Sequence, residues 1–89
     1  MVRLPLSPEQ VAAGRRLGSL FRTARGDRDP VDVANAAGIS PETLRKIESG
    51  RMPSPSFGTV VGLCEALSLS VDDAVATWRA DAAGGRAAG

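Results

Sequence analysis

The apolar residues of this chain recur three and four apart, the spacing of helices packed on one face, rather than alternating as in strands. Val11, Leu17, Leu20, Phe21 and Ala24 form a first stripe, and Ser7-Pro8-Glu9-Gln10 stands before it as a capping box. A helix is predicted from there to about Arg25. Gly14 and Gly18 inside it each cost up to about 1 kcal/mol relative to alanine, which close packing of another helix would explain. Gly26-Asp27-Arg28 reads as a turn. Asp29 then caps a second helix, over roughly Pro30 to Ala37, with proline at its first position.

A third helix is predicted from Pro41 to Ser49, ended by Gly50, and Arg51-Met52-Pro53-Ser54-Pro55 reads as a proline-stiffened loop. A fourth helix starts after Ser56, with Phe57, Val60, Val61, Cys64 and Leu67 as its inward face. Leu69 bridges to a fifth, capped by Ser70, favoured by Asp72 and Asp73, and apolar at Val71, Ala74, Val75 and Trp78. The expected organisation is a loose arm over residues 1–6, one domain over 7–79, and a disordered tail over 80–89, where the run DAAGGRAAG has too little apolar area to pack.

The eighteen residues from Val33 to Gly50, VANAAGISPETLRKIESG, hold the most information. Val33, Ala34 and Ala37 give the end of the second helix a small inward face, Gly38 suits a left-handed helix end, and Ile39 plugs the corner between two crossing helices. Ser40 restarts the chain as an N-cap before Pro41. Leu44 and Ile47 follow at a spacing of three, which leaves Pro41, Glu42, Thr43, Arg45, Lys46 and Ser49 pointing outward. An exposed helix face with adjacent basic residues suits the major groove of DNA.

Composition and charge sharpen the picture. Few aromatics, no tyrosine and abundant small aliphatic residues favour an all-α bundle over a sheet, and 89 residues bound it to a single domain. The absence of histidine, of a Cys–His pair and of a glycine-rich phosphate loop argues against an enzyme, and no cofactor or metal is expected. Cys64, the single cysteine, sits among apolar neighbours and reads as core. No apolar run approaches the roughly 20 residues of a membrane span, and the protein is expected in the cytoplasm, at the nucleoid when bound. The formal charge of +1 hides an uneven distribution: residues up to Pro53 are net basic, and those from Ser54 onward net acidic.

Ala34 four residues before Gly38, Ile39 directly after it, then Leu44, Ile47 and the ending Ile47-Glu48-Ser49-Gly50 resemble the repressor-type helix-turn-helix domains of bacterial and phage regulators, the xenobiotic-response-element or lambda-repressor-like family. The resemblance spans roughly Leu17 to Trp78, and GLCEALSLSVDDAV looks like that family's closing helix pair. It implies a five-helix all-α domain with a central helix-turn-helix and a double-stranded DNA partner. It further implies a sequence-specific transcription regulator or repressor working as a homodimer on an inverted repeat. Pro41, Glu42, Thr43, Arg45 and Lys46 take the places of base-reading residues, and Arg28, Ser49, Arg51, Ser54 and Ser56 are phosphate candidates.

The chain departs from the family at three points. Pro41 and Glu42 replace commoner polar or amide residues, so bidentate amide recognition of adenine is lost. Glu42 either accepts from cytosine N4 or only supports the helix start and repels wrong sites; Thr43 can touch a thymine methyl or a phosphate. Pro30 replaces a glutamine that reaches phosphate, leaving the N–H groups of Val31 and Asp32 as substitutes. Arg45 is also placed to pair with Glu42 three residues away, at about 0.2–0.5 kcal/mol. Glu48, on an inward-leaning face, needs a cation, and the resemblance implies Arg25 from the first helix, with Arg22 second. Val71, Val75 and Trp78 serve either as a dimer seam or as the domain's own core. The rival function is a protein-binding adaptor, such as the antitoxin subunit of a toxin–antitoxin pair.

Overall fold

A computed structural model describes residues 5–80 as five helices and, among these residues, no strand: α1 Pro8–Arg25, α2 Pro30–Ala37, α3 Pro41–Glu48, α4 Phe57–Leu67 and α5 Val71–Arg79. Residues 1–4 of the expected arm and 81–89 of the expected tail lie outside the described residues. No described helix is long and apolar enough to cross a membrane.

Every helix begins as its sequence dictates. The side chains of Ser7, Asp29, Ser40, Ser56 and Ser70 accept hydrogen bonds from backbone amides of their first turns. Ser7 and Ser70 complete capping boxes with Gln10 and Asp73. α2 ends at Gly38, in the left-handed region at φ 79°, where the Ile39 N–H donates to the Ala34 carbonyl at 3.0 Å and turns Ile39 into the corner. α4 ends likewise with Ser68 at φ 60°, a conformation disfavoured for a non-glycine residue, while the Leu69 N–H donates to the Cys64 carbonyl at 2.8 Å.

One core joins all five helices: Leu17 and Phe21 from α1, Val33 and Ala34 from α2, Leu44 and Ile47 from α3, Leu63, Cys64 and Leu67 from α4, and Ala74 from α5. α2 packs chiefly on α4, and α1 lies against both α3 and α5. Burial raises the Cys64 thiol above its ordinary pKa, an effect that the charge of Asp73 reinforces; this favours the neutral, unreactive form.

Phe57 departs from expectation. It is 73% exposed, although its spacing from Val60, Cys64 and Leu67 had placed it inward. The buried side of α4 centres on Leu63, Cys64 and Leu67, which rotates Phe57 to the edge of the stripe. It is also the first helical residue, and side chains lean toward the helix start, away from the later turns of α4 that carry the core contacts. Trp78 is half-buried against the core.

Arg16 contributes a contact that periodicity does not announce. Its Nε donates to the Thr77 carbonyl at 3.0 Å and its Nη2 to the Trp78 carbonyl at 2.8 Å, satisfying carbonyls at the end of α5 from the flank of α1.

The two glycines of α1 answer to close approach. A Cβ on Gly14 would collide with Pro53 of the loop after α3, and one on Gly18 with the Ile47 carbonyl oxygen. The backbones of α1 and α3 therefore touch at Gly18. Gly18→Ala is expected to cost about 1–3 kcal/mol, lowering the melting temperature followed by circular dichroism by roughly 5–20 °C. Gly58→Ala, where a Cβ meets nothing within 4 Å, is expected to leave it unchanged or higher.

Candidate nucleic-acid interface

α3 is amphipathic over only eight residues. Leu44 and Ile47 are sunk in the core, while Glu42, Arg45 and Ser49 are exposed and Lys46 half-exposed. At about 100° per residue, positions 42, 45, 46 and 49 fall within one arc opposite the buried pair. Pro41 and Thr43, both half-buried, flank that arc. The structure thus brings the five sequence-predicted base-reading residues onto one helix, three of them, Glu42, Arg45 and Lys46, along its outward arc.

The first turn of α3 is set by Ser40. Its hydroxyl oxygen accepts from the Thr43 N–H at 3.0 Å, and its O–H donates to Thr43 Oγ1 at 2.9 Å. With that lone pair filled, the Thr43 hydroxyl retains its own proton to donate. Glu42 pairs with Lys46, Oε2 to Nζ 3.8 Å, rather than with Arg45 as the three-residue spacing had allowed. Glutamate four residues before lysine is the better-oriented helical pair, and it leaves Arg45 without an ion-pair partner among the described residues.

The buried edge of α3 is fixed by charge. Arg25 Nε donates to Glu48 Oε2 at 2.8 Å and Nη2 to Oε1 at 3.1 Å, a two-point fork whose side chains are only 11% and 12% exposed. Nη1 donates to the Arg28 carbonyl at 2.9 Å, so one guanidinium ties together α1, the turn after it and α3. The hydrogen bonds to Glu48 raise the Arg25 pKa against the desolvation that opposes them, with the charges of Glu48 and Asp29 adding to the rise. Arg22, the other candidate partner, donates to the Gly26 carbonyl instead.

The phosphate candidates are scattered and partly engaged. Arg28 Nη1 donates to the Ala66 carbonyl at 2.9 Å, tying the α1–α2 turn to the end of α4. The Ser49 hydroxyl donates to the Lys46 carbonyl. Ser56 is the cap of α4, bonded to the amide and hydroxyl of Thr59, so that amide is already occupied. The Val31 N–H, named as a substitute for the missing glutamine, is taken by Asp29 Oδ1 at 2.8 Å, which removes it as an anion donor. Arg51 and Ser54 are exposed on the loop after α3, and the Met52 N–H folds that loop back onto the Lys46 carbonyl at 3.0 Å.

The latch made by Arg16 was missed by sequence reading. Its signal is the one that singled out Glu48: a charge on the buried half of a helix, here three residues after Ala13 and four before Leu20.

Comparison with known proteins agrees with this geometry. The family described as a helix-turn-helix domain matches residues 12–78. Among solved structures, the chain is similar to the clp gene regulator ClgR from C. glutamicum. The TM-score is 0.65 at 28% identity, over 84% of this chain and 91% of that one. No curated protein matches.

Arg25→Ala leaves Glu48 largely buried without a cation. It is expected to lower unfolding free energy by about 3 kcal/mol, the low end for a buried pair because the rim of this one stays solvated. Chemical denaturation reads that loss, while the folded fraction keeps its DNA binding. Unchanged stability with a selective loss of binding would overturn the structural role.

Proposed function

The chain belongs to the helix-turn-helix domain family, and from that premise we propose that it is a sequence-specific transcription regulator that lays the outward arc of α3 in the major groove. DNA-binding gene regulation is what the family and the likeness to a clp gene regulator support. The observation that carries the groove-reading step is the division of α3 itself. Leu44, Ile47 and the Arg25–Glu48 fork hold one side, while Arg45, exposed, and Lys46, half-exposed, lie on the other. Recognition helices meet base edges with their first turns, and here that turn carries Pro41, Glu42 and Thr43. Arg45 and Lys46 add reach to base or phosphate, and Arg51, Ser54 and Ser49 stand at or just beyond the end of α3 as backbone contacts. Arg28 and Ser56 belong to the same proposed phosphate set once their present bonds are exchanged for DNA.

The homodimer belongs to the same proposal. Leu17, Val60, Val71, Ala74, Val75 and Trp78 line a shallow apolar groove of about 330 Å³, with Phe57 at its rim. Val75 is 46% exposed there. A two-fold contact placing this face on its own copy would bury both exposed side chains, and two α3 helices would then meet half-sites about 34 Å apart on an inverted repeat. The place of action is the cytoplasmic nucleoid, where such operators lie.

Selection of bound fragments from random duplex DNA is expected to enrich a symmetric motif. On that motif Arg45→Ala and Lys46→Ala should each weaken binding roughly 5- to 150-fold, with a shallower salt dependence where a phosphate contact is lost. Enrichment of no motif would overturn DNA reading and favour a protein-binding adaptor.

Val75→Asp places a charge in the proposed dimer face without touching the core. It is expected to weaken self-association at least about tenfold in sedimentation experiments, with helix content preserved. A wild-type chain that stays monomeric at tens of micromolar, free and on DNA, would overturn the dimer.

A further inference from the structure

We propose that Glu42 and Lys46 act as one unit that reads a C·G base pair, the Glu42 carboxylate accepting from cytosine N4 and the Lys46 ammonium donating to guanine O6 and N7. The inference rests on α3 entering the major groove and names what its first turn recognises there.

Glu42 stands opposite the mean direction of Leu44 and Ile47, so it is the residue of the first turn aimed most directly away from the bundle. Its side chain is 72% exposed. A carboxylate carried into a groove walled by phosphates is repelled from both sides and loses water, and it is tolerated there only with a cation beside it and donors to bond. Lys46 is that cation, one turn further along the same arc.

The separation between them matters. At 3.8 Å the two charges attract but do not share a hydrogen bond. The carboxylate therefore keeps its acceptor sites and the ammonium its three donors.

The major-groove edge of a C·G pair offers, in order, the N4 amine donor, the O6 acceptor and the N7 acceptor. An acceptor followed by a multiple donor along one helix face is the complement of that order. Adenine also offers an amine, but its N7 lone pair lies beside the amine and repels the second carboxylate oxygen. Thymine and guanine offer a carboxylate no donor in this groove. The neutral capping of α3 by Ser40 removes the need for Glu42 as a cap, since the Thr43 N–H is already bonded.

The test compares sequences enriched from random duplex DNA by wild type and by Glu42→Gln. Wild type is expected to prefer cytosine at one column of each half-site by about tenfold or more over the other bases. In Glu42→Gln that column alone moves toward adenine, whose N6 and N7 fit an amide, and the other columns stay fixed. Thermal unfolding of the variant, unchanged because the side chain is exposed, shows that the domain is intact.

A wild-type motif lacking such a cytosine overturns this inference while DNA reading stands. So does a variant that binds all sequences more tightly with the same motif, the outcome expected if Glu42 only repels wrong sites. A wild type that enriches nothing overturns the DNA-binding reading, and this inference with it.

Discussion

The fork between Arg25 and Glu48 is the interaction on which the arrangement of the other parts depends. α3 has eight residues and too little apolar surface to hold its own orientation: Leu44 and Ile47 give it depth in the core but act near a single line, about which a short helix can rotate. The two-point bond at Glu48 sits at the C-terminal end of that line and removes the rotation. Because the third nitrogen of Arg25 holds the Arg28 carbonyl, the same group also fixes where the chain turns toward α2. A part-buried ion pair is a costly way to hold a helix. Its advantage is direction, which apolar contacts do not supply.

Much of this was legible in the sequence because the signals are local. Caps, glycine ends and prolines at first helical positions act within four residues of themselves, and Ser40, Gly38 and Pro41 place the corner without reference to the rest of the molecule. The partner of Glu48 was legible through family likeness and through the rule that an inward charge needs a counter-charge. Less legible were the contacts decided by how helices overhang or approach one another. Phe57 satisfies the spacing rule for burial yet is exposed at the first position of α4, and no periodicity states where a helix loses its neighbours. Arg16 finds carbonyls about sixty residues away, a pairing that exists only after α5 has docked.

The candidate interface was legible as a set of positions but less so as a set of chemical states. The sequence placed Glu42, Arg45 and Lys46 on one face; the structure distributes their charges, pairing Glu42 with Lys46 and giving Arg45 no ion-pair partner among the described residues. The same distinction separates the hydroxyl of Thr43, which retains a proton to give, from that of Ser49, which has already given its proton to a carbonyl. Such differences decide what a face can recognise, and they arise from rotamers and distances rather than from residue types. They also divide the proposed phosphate candidates: the side chains of Arg28, Ser49 and Ser56 are already bonded, while that of Arg51 has no hydrogen bond or ion pair among the described residues.

The contact of Gly18 with the Ile47 carbonyl sets the separation of α1 and α3 by backbone against backbone. Side chains elsewhere in the core can change size, and the domain will gain or lose rigidity, but the height at which α3 stands above the body is not theirs to alter. Substitutions on the exposed arc can then accumulate against a constant frame. The side chains of that arc can therefore be exchanged without moving α3 relative to α1.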